Sequence, residues 1–236
     1  MRIRVKFRKY GAMKFVGHLD MMRYFQRCIR RAEIDIAYSE GFRPHQIMSF
    51  AAPLGVGITS DGEYLDLEVN STESSKASVL ALNSVMAEGI EALSYRRLKD
   101  TDQKAMSIVA MAEYEVRIRE GYKAPCADFK AARKAFFFRP EEILITKQTK
   151  KSEKILDLKK LVYDFHILME GGSPVYCLKV SAGSADNLKP ELFLTAFYKF
   201  LGQEFDPLSV QIHRLDVYAR KNGEMVSLGE MGEIIS

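Results

Sequence analysis

Arg2-Ile3-Arg4-Val5-Lys6-Phe7-Arg8 alternates basic and apolar residues without a break. A period of two marks a half-buried strand, so Ile3, Val5 and Phe7 are predicted to face a core while Arg2, Arg4, Lys6 and Arg8 face outward. Downstream, from His18 to Ala32, the period changes to that of a helix. Leu19, Met22, Phe25, Ile29 and Ala32 recur at three- and four-residue steps, with Arg23, Arg27, Arg30 and Arg31 largely off that stripe. Ser39 to Pro53 reads as loop plus an irregular edge strand, and Asp61-Gly62 as a hairpin turn into the alternating Tyr64-Leu65-Asp66-Leu67-Glu68-Val69. A helix over Thr72 to Glu88, stopped at Gly89, and a strand over Ile90 to Leu98 complete a β-α-β-β-α-β order. That order is ferredoxin-like.

After a polar linker at Asp100 to Lys104, a strand is predicted from Glu113 to Glu120 and a helix from about Cys126 to Phe138. Strands follow at Ile143–Gln148, Ile155–Met169 and Val175–Val180, then a helix opened by Pro190 and ending near Gly202, and a strand at Val210–Arg220. Asn222-Gly223 turns the chain into a short strand around Met225–Leu228. The expected fold class is α+β, with tandem ferredoxin-like units at residues 1–100 and 105–236, the second carrying an extra strand. No sequence-level repeat accompanies that duplication, so a single larger α+β domain stands as the alternative.

The 236 residues are 47% hydrophobic and 28% charged, which excludes a disordered or fibrous chain and is enough to build a core without disulfides or metals. No apolar run reaches the roughly 18 residues of a membrane span, and basic residues interrupt the start where a signal peptide is apolar. A cytoplasmic location away from membranes is expected. Cys28, Cys126 and Cys177 lie far apart with no CxxC, which points to core thiols and to no metal or cluster held within the chain. Charge is uneven: residues 1–60 carry 11 Lys and Arg against 4 Asp and Glu, a net of +7, and the remainder nets −3. A basic end on a mildly acidic body fits a localised polyanion-binding surface.

Three stretches resemble the N-terminal signature of the radical-SAM-linked protein family: Phe15-Val16-Gly17-His18-Leu19-Asp20, Tyr38-Ser39-Glu40-Gly41-Phe42-Arg43-Pro44-His45, and Ala52-Pro53-Leu54-Gly55-Val56-Gly57 with Glu63-Tyr64. Ala182-Gly183-Ser184-Ala185-Asp186-Asn187-Leu188-Lys189-Pro190 is similar to a further motif of that family. The resemblance implies a bacterial domain fused to, or encoded beside, a radical S-adenosylmethionine protein, and no CxxxCxxC is present to hold the radical-generating cluster itself. Family members tend to lie near ribonuclease and ribosomal-protein genes, which by association implies an RNA-related role. The tandem architecture is also similar to that of CRISPR repeat-processing endonucleases, an analogy of fold.

The residues then divide into candidate sites. Arg2, Arg4, Lys6 and Arg8 on the first strand, with Arg23, Arg27, Arg30 and Arg31 on the helix and Arg43 and His45 on the loop, form the candidate nucleic-acid surface, because each cation that meets a phosphate releases counterions. A solvated face, or one covered by the second unit through acidic partners, is the plain alternative. Gly41-Phe42-Arg43-Pro44-His45 has the make-up of a ligand-contacting loop or of a stiff connector. His18 and His45 are catalytic candidates only for a metal-independent ribonuclease, with Tyr10 or Lys14 as further proton or charge partners; capping and packing at a helix entrance explain His18 and Asp20 as well. Ser181, Gly183, Ser184 and Asn187 before Pro190 are a candidate anion cradle or helix cap. Phe136-Phe137-Phe138 and Phe193, Phe197 and Phe200 read as core, and Lys147, Lys150, Lys151 and Lys154 as a solvated hairpin tip. No cofactor and no metal site is expected. The functional expectation is a non-catalytic RNA-binding accessory, with tRNA or rRNA as candidate classes and a radical S-adenosylmethionine protein as partner; a ribonuclease and a protein-docking module are the alternatives.

Overall fold

The computed structural model describes residues 1–148, 153–184 and 186–236. In chain order its elements are β1 (Arg2–Lys9), α1 (His18–Arg31), β2 (Met48–Phe50), β3 (Thr59–Glu68), α2 (Ser75–Val85), β4 (Ile90–Arg97), α3 (Ala105–Ile108), β5 (Val109–Ile118) and α4 (Phe129–Arg133). There follow β6 (Leu144–Gln148), β7 (Glu153–Asp157), α5 (Leu158–Leu161), β8 (Val162–Glu170), β9 (Ser173–Ser181), α6 (Pro190–Phe200), β10 (Val210–Lys221) and β11 (Glu224–Ser227). The fold is mixed α+β. Two compact units account for it, one of Met1–Ala110 with Arg214–Ser236 and one of Met111–His213.

In the first unit β4, β1 and β3 lie side by side and antiparallel, with β2 on β3 and the later part of β10 also beside β3. The apolar half of the β1 alternation behaves as expected: Ile3, Val5 and Phe7 are buried with Leu65 and Leu67 of β3, with Val69 just after it, and with α1. Of the expected α1 stripe, Phe25 and Ile29 are buried and Met22 and Ala32 pack against the core, with Met21 and Cys28 buried beside them; Leu19 alone departs and is exposed. Aromatic packing seats the helix. Phe25 lies 4.6 Å from Phe7 and 5.6 Å from Phe50, and each fully buried phenyl ring stabilises by roughly 1.5–3 kcal/mol, which sets the rotation of the helix.

Two sequence expectations for this unit are corrected. Asp61-Gly62 is no hairpin turn: both residues lie within the continuous strand β3. Gly62 is required there by close approach, since a Cβ on it would sit 2.4 Å from the Asp216 Cα. Residues 214–236, expected in the second unit, belong to the first. β10 reads as one uninterrupted strand in sequence, and only its packing shows that Arg214 onward lies with β3, where Arg214 and Glu63 form a buried ion pair at 2.6 Å.

In the second unit β5 pairs with β9 and β9 with β8, all antiparallel, and the start of β10 lies beside β5. The predicted strand Ile155–Met169 is broken in two: Asp157 accepts from the Lys159 N–H and caps the single turn α5, so β7 and β8 are separate. β7 pairs instead with β6 as a hairpin of its own. The predicted helix Cys126–Phe138 begins at Phe129, capped by Asp128, and runs into a π-helical turn at Lys134–Phe138. Phe136, Phe137, Phe165, Phe193 and Phe197 form the core with ring centroids 4.7–6.4 Å apart, whereas Phe138 and Phe200 are half exposed. Of the lysine tip, Lys147 and Lys154 are paired across β6 and β7, and Lys150 and Lys151 lie outside the described residues.

Candidate nucleic-acid interface

The cations of β1 do not form a solvent-facing strip. Arg4 is 2% exposed, and its guanidinium grips Asp66 through two hydrogen bonds of 2.8 and 3.0 Å. Asp66 in turn accepts the Ala105 N–H at 2.7 Å. Arg2 donates to the carbonyl oxygens of Asp102, Lys99 and Asp100 at 2.5, 2.6 and 2.7 Å. Lys6 meets Asp216 at 3.3 Å, and Arg8 meets Asp61 at 3.0 Å and Glu91 at 3.4 Å. The acids that meet Arg4, Lys6 and Arg8 come from β3, β4 and β10 and carbonyls take Arg2, so the cations expected as a polyanion site on β1 are engaged from within, and Arg4 is buried.

Register explains the cover of Arg4. Arg4 stands directly opposite Asp66 and Arg2 opposite Glu68 on the antiparallel neighbour. Opposite charges facing each other across a ladder attract. Asp66 and Glu68 alternate with apolar residues in β3 as Arg2 and Arg4 do in β1, and the register brings the two alternations face to face. A further hub that sequence reasoning missed surrounds Asp216, whose carboxylate accepts from the Tyr64 hydroxyl, from the Ser227 hydroxyl at 2.7 Å and from the Val217 N–H at 2.9 Å. Burial is the main cause that pushes the Tyr64 phenol far above its ordinary value, with the Asp216 charge next. No local pattern marks this hub, because its members are far apart in sequence.

The α1 cations behave differently. Arg23, Arg27, Arg30 and Arg31 are all exposed. Arg23 has one acidic neighbour, Asp20 in the first helical turn at 3.3 Å, where both side chains are about 70% exposed and the pair contributes little. Arg27, Arg30 and Arg31 have no carboxylate within ion-pair distance among the described residues. Arg23, Arg27 and Arg30 follow steps of four and three, so they stand along one side of the helix. Like charges at that spacing repel weakly, a tension that an anion relieves. The helix is firmly seated: the Ala87 N–H donates to the Tyr24 hydroxyl at 2.7 Å, and burial pushes that phenol up to about 12.

The loop after α1 is tied to it. Gln46 donates from Nε2 to the Gln26 carbonyl at 3.3 Å, one turn from both Arg23 and Arg30. Between Tyr38 and Gln46, which form a β-bridge, the chain projects Phe42, Arg43 and His45 into solvent. His45 is held by Ser39 through an Oγ to Nδ1 contact of 2.8 Å. His18 packs edge-on to Phe50 at a centroid distance of 5.3 Å, at the first residue of α1. The two histidines thus have separate partners, and no contact joins them to each other or to Tyr10 among the described hydrogen bonds and ring contacts. Tyr10 lies instead under Arg8, and Lys14 over Phe15.

The residues expected as an anion cradle stand upstream of the helix they were to serve. α6 begins at Pro190 with Lys189 as its cap residue and no side-chain cap. Ser181 ends β9, where its hydroxyl lies 3.5 Å from that of Tyr163, and its carbonyl accepts the Leu188 N–H at 3.0 Å. Gly183 has φ +134, and Ser184 and Asn187 lie between it and the cap, so none of the four is at the helix N-terminus. Ala185 lies outside the described residues.

A family model described as "Uncharacterized protein conserved in bacteria (DUF2344)" matches residues 2–190. The chain belongs to that family. The match runs through the basic α1 face and the loop of this DUF2344 member and stops at the start of α6. No curated protein matches the sequence. Among solved structures, a chain of a Cbf5–Nop10–Gar1 complex is similar with a TM-score of 0.51 at 11% identity, covering 91% of this chain and 48% of that one. This chain therefore spans about half the length of that neighbour, and at such identity the likeness is one of fold. Among the described residues no helix is long and apolar enough to cross a membrane.

Proposed function

We propose that this DUF2344 member is a non-catalytic RNA-binding accessory that holds RNA, of which tRNA and rRNA are candidate classes, against α1 for a radical S-adenosylmethionine partner enzyme in the cytoplasm. The observation that carries the reading is the contrast between two sets of cations in one unit. Arg4, Lys6 and Arg8 of β1 are matched by acids of the chain and Arg2 and Lys9 by backbone carbonyls, whereas Arg27, Arg30 and Arg31 are exposed and unmatched among the described residues. A folded chain that neutralises one basic face and leaves another open presents the open one to an external polyanion.

The order β4-β1-β3-β2 with α1 and α2 as crossovers, and the order β10-β5-β9-β8 with α4 and α6, support reading both units as ferredoxin-like, the second with the β6–β7 hairpin inserted. The partner role is supported by two of the family-like stretches, where Phe15, Leu19 and Val56 are each about two-thirds exposed and the Gly57 N–H bonds the Lys14 carbonyl at 2.9 Å. Such apolar exposure suits a protein contact.

The test is the salt dependence of RNA affinity. Arg27→Glu/Arg30→Glu is expected to weaken binding and to flatten the slope of log K against log salt by about 0.7 for each phosphate that the variant no longer neutralises. Affinity and slope equal to wild type would remove the proposal. Reversal of Arg4 is not a usable test, because it breaks a buried ion pair.

A further inference from the structure

Resting on that reading, we infer that the Tyr38–Gln46 loop is a base-stacking finger, and that the RNA it takes is unpaired at the contact. Phe42 at its tip is fully exposed, the most exposed large apolar side chain among the described residues. No contact among the described residues of the unit holds the ring, so its position serves neither the core nor the helix. A floppy tip would be a poor platform, but this one is closed by hydrogen bonds at its base. The Ser39 N–H donates to the His45 carbonyl at 2.9 Å, the His45 N–H donates to the Ser39 hydroxyl at 3.1 Å, and the Ile47 N–H donates to the Ala37 carbonyl at 2.9 Å. Gly41, at φ +106, makes the bend that turns Phe42 outward. A loop closed at its base has fewer conformations to lose on binding than an open one.

The occupant follows from the chemistry. Phe42 offers a π face and no hydrogen-bonding group, so it stacks on any base and reads none. Arg43 beside it supplies a cation for the adjoining phosphate, and Tyr38, half exposed at the other end of the bridge, supplies a second ring. Aromatic rings interleaved with cations are how single strands are held without sequence choice. Bases in an A-form duplex are stacked on one another and cannot reach a ring on a protein loop, whereas bases of loops, bulges and ends splay out and can. The Gln46–Gln26 hydrogen bond ties the base of the finger to α1, the helix that carries the arginines.

The experiment compares the full chain with its variants by fluorescence anisotropy on a pyrimidine-rich RNA of about 12 nucleotides, a length one such surface spans, and on the same strand in duplex. Wild type is expected to favour the single strand. Phe42→Ala should lose about 5- to 100-fold on the single strand with its salt slope and duplex affinity unchanged, and Phe42→Trp should restore binding. Because the ring contacts no core, unchanged thermal melting is expected for both. If Phe42→Ala binds the single strand as tightly as wild type while Arg27→Glu/Arg30→Glu binds weakly, the finger is refuted and the RNA interface stands. If Phe42→Ala leaves RNA affinity untouched but releases a protein that co-purifies with wild type, the ring is a protein anchor and the inference is overturned. If wild type binds neither RNA, the finger and the interface fall together.

Discussion

Asp66→Ala should destabilise the first unit more than any surface substitution, because it strands the Arg4 guanidinium where water does not reach it. Arg4 is 2% exposed and donates twice to Asp66, and the same carboxylate accepts the Ala105 N–H. Removing one member of a buried pair costs about 3–5 kcal/mol, mainly because the remaining charge stays desolvated. The orphaned Ala105 amide adds about 1–3 kcal/mol more. The other acceptors near Arg4, the Gln103 carbonyl and the Met231 sulfur at 3.4 Å each, offset only a small part. At roughly 2–4 °C per kcal/mol for a chain of this length, the melting temperature should fall by about 10 °C or more. The pair itself is a weak source of net stability, so Arg4→Met/Asp66→Leu should recover much of the loss. The assay is thermal and urea unfolding of wild type, Arg4→Met, Asp66→Leu and the double variant, read as a mutant cycle, with Asp66→Ala measured beside them. A loss below about 1 kcal/mol for Asp66→Ala, or strictly additive effects of the singles, would refute a buried structural pair.

Three further outcomes are expected. Burial pushes the Tyr24 phenol up to about 12 from 10.0 and raises those of Tyr64, Tyr95, Tyr176 and Tyr198 as well. A phenol whose folded pKa exceeds its unfolded value contributes stability that is intact below about pH 10 and lost as the pH rises through its folded value. Ultraviolet titration should therefore show these phenolates appearing only with alkaline unfolding, and reversible ionisation of all 11 tyrosines near pH 10 would contradict it. Gly62→Ala should destabilise by about 1–3 kcal/mol in urea unfolding, because its Cβ has no room beside the Asp216 backbone, and neutral behaviour would deny that approach. Burial also raises all three thiols, Cys177 to about 11, so alkylation at about pH 8 should be slow for the folded chain and fast in denaturant. Fast labelling of Cys28 or Cys177 in the folded chain would show the core to be open.

Local periodicity carried the sequence reading as far as local periodicity governs structure. The alternation at Ile3, Val5 and Phe7 and the arginines off the α1 stripe were legible because strand and helix repeats depend on neighbours in sequence. The fate of the outward half of β1 was not, because its cover comes from elsewhere: Asp66 on β3, Asp216 on β10, and the carbonyls of residues 99–102. The same holds for Gly62, read as a turn residue when its absent side chain makes room for another strand. Of the candidate site, Arg23, Arg27, Arg30 and Arg31 stand exposed, Arg43 and His45 project on the loop, and Arg2, Arg4, Lys6 and Arg8 are engaged within the chain. A cation's availability depends on which acids the fold brings to it. Composition and spacing cannot supply that; cross-strand register can, and Arg4 opposite Asp66 shows how.

The most direct measurement is made on the chain expressed without any partner and purified at low salt: the 260/280 nm absorbance ratio before and after ribonuclease treatment and a salt wash, for wild type and for Arg27→Glu/Arg30→Glu. The account predicts excess 260 nm absorbance on wild type that nuclease and salt both remove, and its absence from the variant. A protein-only spectrum for wild type, or an equal excess on the variant, would contradict an RNA interface on α1.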